Sequence, residues 1–244
     1  MRADVLAYSS IGGRNRNEDC ALAKHAHGCT IAVLCDGLGG YSQSDEASRL
    51  AAQSVLDSLA RGVFSRETLD KALYEANERL FEQRNAGLMR STVAVVWVKD
   101  DVALVATVGD TRVYLFRDYE IVFQSIDHSL AQLDVVVGEI TSKEIRGSAR
   151  RSGLLRSLGA DDSVKPDVVS LALRPGDVFL LCSDGCWEFV EEFEFEESLG
   201  RMSFETWFAW IERVVTARSD ANADNNTAIA MRVSLCDPAV EVGA

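Results

Sequence analysis

The sequence predicts an α+β fold of antiparallel strands with a helical layer, and three observations carry the prediction. Short apolar runs punctuated by polar turns recur in the first, middle and last parts of the chain, the mark of sheet built from hairpins. Two amphipathic helical patterns follow one another between the first and second groups of runs, so a helical layer packs on a sheet. Three apolar runs end on an aspartate next to glycine: Ile31 to Asp36, Val102 to Asp110 and Val178 to Asp184. Glycine there lets the backbone turn sharply and lets its carbonyl approach a ligand.

Composition bounds the rest. One domain spanning 1–244 is expected from the length and from a hydrophobic fraction of 47%. A formal net charge of −13 excludes general affinity for nucleic acid or anionic membrane, since both need a cationic face. No charged-then-apolar leader and no apolar run near the ~20 residues of a membrane helix is present, so a cytoplasmic protein is expected. Cys20, Cys29, Cys35, Cys182, Cys186 and Cys236 lack metal-site or thioredoxin spacing and read as reduced, structural thiols.

Asp4 to Ser9 fits a first edge strand. It leads into Ile11-Gly12-Gly13-Arg14-Asn15-Arg16-Asn17-Glu18-Asp19, a loop too rich in charge to serve packing alone. Cys20 to Lys24 and Thr30 to Cys35 form a hairpin across His25 to Cys29, with His25 and His27 as solvated turn residues. The Ile31–Cys35 run has the apolar continuity of a strand buried on both faces.

A helix follows Gly40, with Ser44 as N-cap, Asp45 and Glu46 in its first turn, and Ala47, Leu50, Ala51, Val55 and Leu59 as its apolar stripe. A second begins after Ser65 with the stripe Leu69, Leu73, Ala76 and Leu80. Thr92 to Val98, Val102 to Val108, Arg112 to Phe116 and Ile121 to Phe123 then read as strands in consecutive antiparallel hairpins. Ser129 to Ser163 breaks the pattern with short helical pieces and the basic residues Lys143, Arg146, Arg150, Arg151 and Arg156. Those five residues form either a surface that recruits acidic phosphopeptides or a solvated loop.

Strands return at Asp167 to Leu173 and Val178 to Cys182. Glu188 to Glu197 reads as a solvated face or helix rather than a cation site. A helix from Phe204 to about Arg218 carries Trp207, Trp210, Ile211 and Val214 as core anchors. After the loop Ser219 to Asn226, a last strand runs from Thr227 to Val233, and the tail 237–244 is expected to fray.

Asp36, Asp110, Asp184 and Asp224 fall at strand ends or entries. If they converge, either their pKa values rise sharply or multivalent cations neutralise them. All-oxygen donors without a convergent histidine or cysteine favour Mg²⁺ or Mn²⁺ over Zn²⁺. Two such ions about 4 Å apart hold and acidify a bridging water for in-line attack on phosphorus. Arg14 supplies a guanidinium suited to clamping phosphate oxygens.

The set Arg14-x-x-x-Glu18-Asp19, Asp36-Gly37-x-Gly39-Gly40, Gly109-Asp110-Thr111-Arg112, Ser183-Asp184-Gly185 and Asp224-Asn225 resembles, in order and spacing, the metal-dependent protein serine/threonine phosphatases of type 2C. The resemblance runs from about Ser9 to Val233 and points to the compact bacterial members. It implies a four-layer αββα sandwich of two antiparallel sheets flanked by helices, with metals at one edge and a mobile flap at 129–163. It also implies that Asp36 bridges two Mg²⁺ or Mn²⁺ ions and that the Gly37 carbonyl, Asp184 and Asp224 complete their shells. Glu18 and Asp19 orient coordinated waters, Arg14 binds the substrate phosphate, and Asp110 belongs to a third, weaker site.

Many eukaryotic members carry a histidine after the Asp-Gly pair as candidate general acid, where this chain has Leu38. A water on the Asp110-linked metal is the expected substitute, and His128 reads as structural. The implied function is Mg²⁺/Mn²⁺-dependent hydrolysis of phosphoserine and phosphothreonine on proteins, opposing a serine/threonine kinase, by a cytoplasmic monomer. A catalytically silent phosphoprotein-binding module is the alternative. A two-metal nuclease is a third reading, disfavoured by the charge of −13.

Overall fold

The computed structural model describes residues 2–38, 43–83 and 88–235. Gly39, Gly40, Cys236 and the expected frayed tail lie outside the described residues. The chain runs β1 (Arg2–Ser10), β2 (Asp19–Ala26), β3 (Cys29–Asp36), α1 (Ser44–Arg61), α2 (Arg66–Glu82), β4 (Val93–Lys99), β5 (Val102–Val108), β6 (Arg112–Arg117) and β7 (Glu120–Gln124). It continues through α3 (Leu130–Val136), a 3₁₀ segment (Ser142–Gly147), β8 (Asp167–Ala172), β9 (Val178–Cys182), α4 (Asp184–Trp187), α5 (Glu192–Leu199), α6 (Phe204–Arg218) and β10 (Asn226–Ser234).

The strands form two antiparallel five-stranded sheets, ordered β1-β10-β9-β6-β7 and β2-β3-β4-β5-β8. Strand alternation sorts side chains into three apolar layers. Ile31, Val33 and Cys35 of β3 pack under α1 and α2, while Ala32 and Leu34 face the other sheet. Phe179 and Leu181 of β9 meet them between the sheets, and Val178, Leu180 and Cys182 point to Trp187, Phe195 and Trp207 on the far helical side. Helix, sheet, sheet, helix is therefore the layer order, as the α+β reading requires.

The helices sit on their apolar stripes: Leu69, Leu73, Ala76 and Leu80 of α2 are fully buried. Ser44 is not the N-cap of α1. Gln43 holds that position, and Ser44 has turned inward to donate from Oγ to the Leu38 carbonyl at 2.8 Å. His25 lies within β2 rather than in the turn, its Nδ1 3.0 Å from Thr30 Oγ1, and the turn tightens to His27-Gly28.

Consecutive hairpins hold for β4–β5 and β6–β7 but fail between β5 and β6, which belong to different sheets. The crossover is Gly109-Asp110-Thr111. Gly109 takes φ +102°, and a Cβ there would lie 2.6 Å from Thr92 Cγ2, so only glycine makes the corner without strain. This crossover puts Asp110 at the same sandwich edge as the ends of β3, β5 and β9.

Candidate active site

Every predicted acid lies at one edge of the sandwich. Asp36 ends β3 and pairs across the ladder with Asp19, which begins β2. Asp184 opens α4 directly after β9, Asp110 sits in the crossover, and Asp224 precedes β10. Ser183 Oγ donates to Asp19 Oδ2 at 2.8 Å and accepts the Thr227 N–H, which ties the β9, β10 and β2 ends together. The Asp36 N–H donates to Thr92 Oγ1, which lies 2.6 Å from Thr111 Oγ1, linking Asp36 to the Asp110 crossover.

The electrostatics follow from crowding. Burial raises the Asp36 carboxyl well above the ordinary range, and Asp19, Asp184, Asp110 and Asp224 add like-charge repulsion. Burial and then Asp110, Glu188 and Asp224 do the same to Asp184. Asp110 is pushed to about 7 by burial and Asp127, and Asp19 to about 6, chiefly by burial. Asp19 Oδ1 is buried without a hydrogen-bond partner.

These groups fit a hard divalent cation: the donors are all oxygens, their charges are mutually unfavourable, and one oxygen is orphaned. Among the described residues no three histidine, cysteine, aspartate or glutamate side chains stand grouped so as to hold a metal ion as they are. The carboxylates converge, but Asp224 turns to Arg14, whose Nη2 donates to Asp224 Oδ2 at 2.7 Å. Gly37 sits where β3 meets α1. A Cβ there would fall 2.1 Å from the Ser44 carbonyl oxygen, so no side chain fits between β3 and α1.

The Arg14 loop is held by a residue to which the sequence reading gave no role. Asn225 Nδ2 donates to the carbonyls of Ile11 and Arg16, and its Oδ1 accepts the Glu18 N–H, each at 2.8 Å. The only sequence signal was its place beside Asp224. Glu18 lies next to Ser44, Asp224 and Arg14, and burial is the largest influence raising its carboxyl.

Two expectations are corrected at the other side of the cluster. The glutamates after Asp184 are not merely a solvated face. Glu188 lies near Asp184, Asp110 and Asp224 and accepts Arg151 Nε at 2.5 Å. Glu191 and Glu192 accept Arg146, which also donates to the Trp187 and Val190 carbonyls. The four arginines of 129–163 are thus engaged in ion pairs: besides Arg146 and Arg151, Arg150 pairs with Asp134 and Arg156 with Asp167.

His128 is structural, as expected. Its Nδ1 accepts the Gly109 N–H at 3.1 Å and its own N–H donates to the Gly109 carbonyl. Arg112 grips Asp127 with two donors at 2.9 and 2.8 Å and stacks 3.7 Å over Trp187, whose Nε1 donates to the Asp110 carbonyl.

A sequence profile described as protein phosphatase 2C matches residues 8–226. The chain belongs to the protein phosphatase 2C family. It is 30% identical over 198 residues to the serine/threonine phosphatase stp of Listeria monocytogenes, a match covering 76% of this chain and 78% of that one. The solved structure of the serine/threonine phosphatase Stp1 from Staphylococcus aureus superposes with a TM-score of 0.87 at 25% identity, covering 96% of each chain. The PstP catalytic domain, solved in complex with two manganese ions, gives a TM-score of 0.82 at 25% identity, covering 96% of this chain and 99% of that one. As a phosphatase 2C this chain is an enzyme with the αββα sandwich, and its acid cluster occupies the edge where the strand ends converge. Among the described residues no helix is long and apolar enough to cross a membrane.

Proposed function

We propose that this phosphatase 2C hydrolyses phosphoserine and phosphothreonine on proteins with Mg²⁺ or Mn²⁺ held by Asp36, the Gly37 carbonyl, Asp184 and Asp224, and with Asp110 at a third site. The observation that carries the reading is the convergence of Asp19, Asp36, Asp110 and Asp184 into one repulsive carboxylate cluster beside Arg14. Bound divalent ions would supply the charge that acidifies a bridging water and neutralises phosphate oxygens.

The chain's own residues do the rest. Arg14 leaves Asp224 to take phosphate oxygens in a charge-assisted contact. Glu18 and Asp19, fixed by Asn225 and Ser183, orient water at the cluster. Leu38 offers no proton, so the leaving seryl or threonyl oxygen takes one from water on the Asp110 side. Residues 129–163 serve as the flap, with Arg146 and Arg151 anchored to the segment around α4 and α5. The proposed partners are a cognate serine/threonine kinase or its substrates, met in the cytoplasm by a monomeric enzyme.

The test is hydrolysis of an aryl phosphate and a phosphothreonine peptide with Mn²⁺, Mg²⁺, Ca²⁺ or EDTA. Turnover that needs Mn²⁺ or Mg²⁺ and vanishes in Asp36→Asn and Asp184→Asn is expected. A folded protein that binds Mn²⁺ by calorimetry yet turns over neither substrate would instead be a silent phosphoprotein-binding module.

A further inference from the structure

A groove of about 900 Å³ lies beside the carboxylate cluster, bounded by β2 and α1, with Gln83 after α2 also lining it. The reaction proposed above uses none of its lining. Cys20 and Leu22 of β2 form one wall, and Arg49, Leu50 and Gln53 of α1 form another. It is continuous with the site: Gln43 and Asp45 line it, and Ser44 between them lies beside the Glu18 carboxyl.

The groove runs along a free strand edge. Strand β2 ends its sheet and, among the described residues, pairs only with β3. The Gly37 N–H donates to the Glu18 carbonyl, and the ladder continues without a shift. Antiparallel alternation then commits the main-chain groups of Cys20, Leu22 and Lys24 to β3 and turns those of Ala21 and Ala23 to the open edge. An unpaired edge of this length is a template for another extended chain.

The lining chemistry selects the occupant. Arg16 and Arg49 are offset by Asp45 and Glu46, so the groove carries no net charge with which to select a strongly ionic ligand. Glutamine amides at 43, 53 and 83 both donate and accept, as a peptide main chain requires. The flap arginines, by contrast, are already paired with acids.

We propose that the groove binds the substrate polypeptide flanking the phosphorylated residue as an extended segment added to the free edge of β2, with the phosphoryl group delivered at its Glu18 end. This rests on the phosphatase reading and names how that site selects protein over small phosphoesters. Side chains of the added segment on the helix-facing side lie beside Cys20, Leu22 and Leu50, which favours small or aliphatic residues at alternate positions.

The test compares wild type, Arg49→Glu, Gln53→Glu and Ala23→Pro on p-nitrophenyl phosphate and on a phosphothreonine peptide, with Mn²⁺. Proline at 23 removes an outward N–H and leaves the β3 pairing. Loss of a main-chain hydrogen bond predicts a fall of about fivefold in peptide kcat/KM with the aryl phosphate unchanged. N-methylation along the peptide backbone should weaken turnover at alternate positions only, which tests the strand register with the enzyme unaltered. Unchanged peptide kcat/KM, an equal fall on both substrates, or N-methyl effects without alternation would overturn the proposal. So would self-association of the enzyme that Ala23→Pro abolishes while peptide turnover stays intact, since the edge then belongs to a second copy.

A readout independent of turnover separates this proposal from the phosphatase reading. Cys20 is half-buried in the groove, whereas Cys29, Cys35, Cys182 and Cys186 are buried. A non-hydrolysable phosphonate peptide should slow Cys20 alkylation in wild type and not in Ala23→Pro. No protection in wild type overturns the groove whatever the activity, and wild-type inactivity on both substrates overturns only the phosphatase reading.

Discussion

Arg14 and Asp224 hold each other: Nη2 lies 2.7 Å from Oδ2, and both side chains reach solvent, at 52% and 38% exposure. A guanidinium suited to phosphate and a carboxylate suited to a cation therefore satisfy one another. On the proposed roles, phosphate and a divalent cation would compete for the two halves of the same pair. Arg14→Ala should thus leave Mn²⁺ affinity by calorimetry equal or tighter, since Asp224 is released. Its kcat/KM on a phosphothreonine peptide should fall about 10- to 100-fold, the range for a lost hydrogen bond to a charged group. Weakened Mn²⁺ binding would mean that Arg14 orients the ligand instead of competing for it.

Asp36 and Asp184 are placed against their own stability. Burial and mutual repulsion raise both carboxyls, so a neutral amide of the same shape relieves the metal-free protein. Asp36→Asn and Asp184→Asn should abolish metal-dependent turnover while raising the Tm measured in EDTA. For a chain of this size each 1 kcal/mol gained appears as about 2–4 °C. A lower Tm in EDTA would show that the carboxylates are net stabilising through their hydrogen bonds.

The same crowding fixes a pH dependence for the metal-free protein. Asp19 and Asp110 rise to about 6 and about 7, so the folded state holds protons that the unfolded chain has released. Their contribution is fully present below the unfolded carboxylate range and is lost as pH rises through those values, with a slope of up to about 1.4 kcal/mol per pH unit per group. Denaturant titrations in EDTA should show stability falling between about pH 4 and pH 7. Added Mn²⁺ should flatten the fall, and its binding at pH 6 should release protons in calorimetry run in buffers of different ionisation enthalpy.

Much of this was legible because Asp36, Asp110 and Asp184 each follow an apolar run. The Ile31–Asp36 run gives both a strand buried on two faces and the carboxylate at its end, and the same holds at Asp184. What failed depends on contacts remote in sequence. Nothing local distinguishes a hairpin at Gly109-Asp110-Thr111 from a change of sheet, since the alternation of β5 and β6 is the same in either case. The partners of Arg146 and Arg151 lie 37 to 46 residues away, and Asn225 grips a loop more than 200 residues upstream. Charge runs reveal that residues are polar but not that they are paired. The glutamates after Asp184 read as a solvated face or helix and the basic residues of 129–163 as a recruiting surface or a solvated loop, although Arg146 and Arg151 pair with Glu191, Glu192 and Glu188.

Arg146 is the principal clasp between the flap segment and the helices after Asp184. Its guanidinium meets Glu191 and Glu192 and the carbonyls of Trp187 and Val190, with only 14% of the side chain exposed. Removing it strands two carbonyls, while Glu192 keeps the Arg112 and Tyr114 donors, so Arg146→Ala should cost about 2 kcal/mol of stability. Hydrogen exchange should accelerate across 142–160 and across 184–192, while β3 and β4 stay protected. Faster exchange confined to the flap would show that its anchoring does not reach Asp184.

His128 sets the acid limit of the Asp110 crossover. Nδ1 accepts the Gly109 N–H, so the proton of the neutral ring sits on Nε2, facing Asp167 Oδ2 at 3.2 Å. Arg156 Nη1, also 3.2 Å from Nε2, is then a neighbouring positive charge. Burial lowers the His128 pKa against the pull of Asp167, whereas the low Asp167 carboxyl draws in part on a charged His128. The two are compatible, because Asp167 titrates in the acid range where the ring is charged; near neutrality the ring is neutral, with Nδ1 accepting the Gly109 N–H, a bond that protonation would break. A depressed pKa contributes stability above the unfolded value of about 6.5 that is lost as pH falls below it. His128→Asn, whose amide oxygen can accept the Gly109 N–H, should therefore lose less stability than wild type between pH 7 and pH 5, at a cost of about 1–2 kcal/mol near pH 7.5 for imperfect replacement. Identical pH slopes for the two proteins would show that the ring titrates freely and that the Gly109 bond does not fix its tautomer.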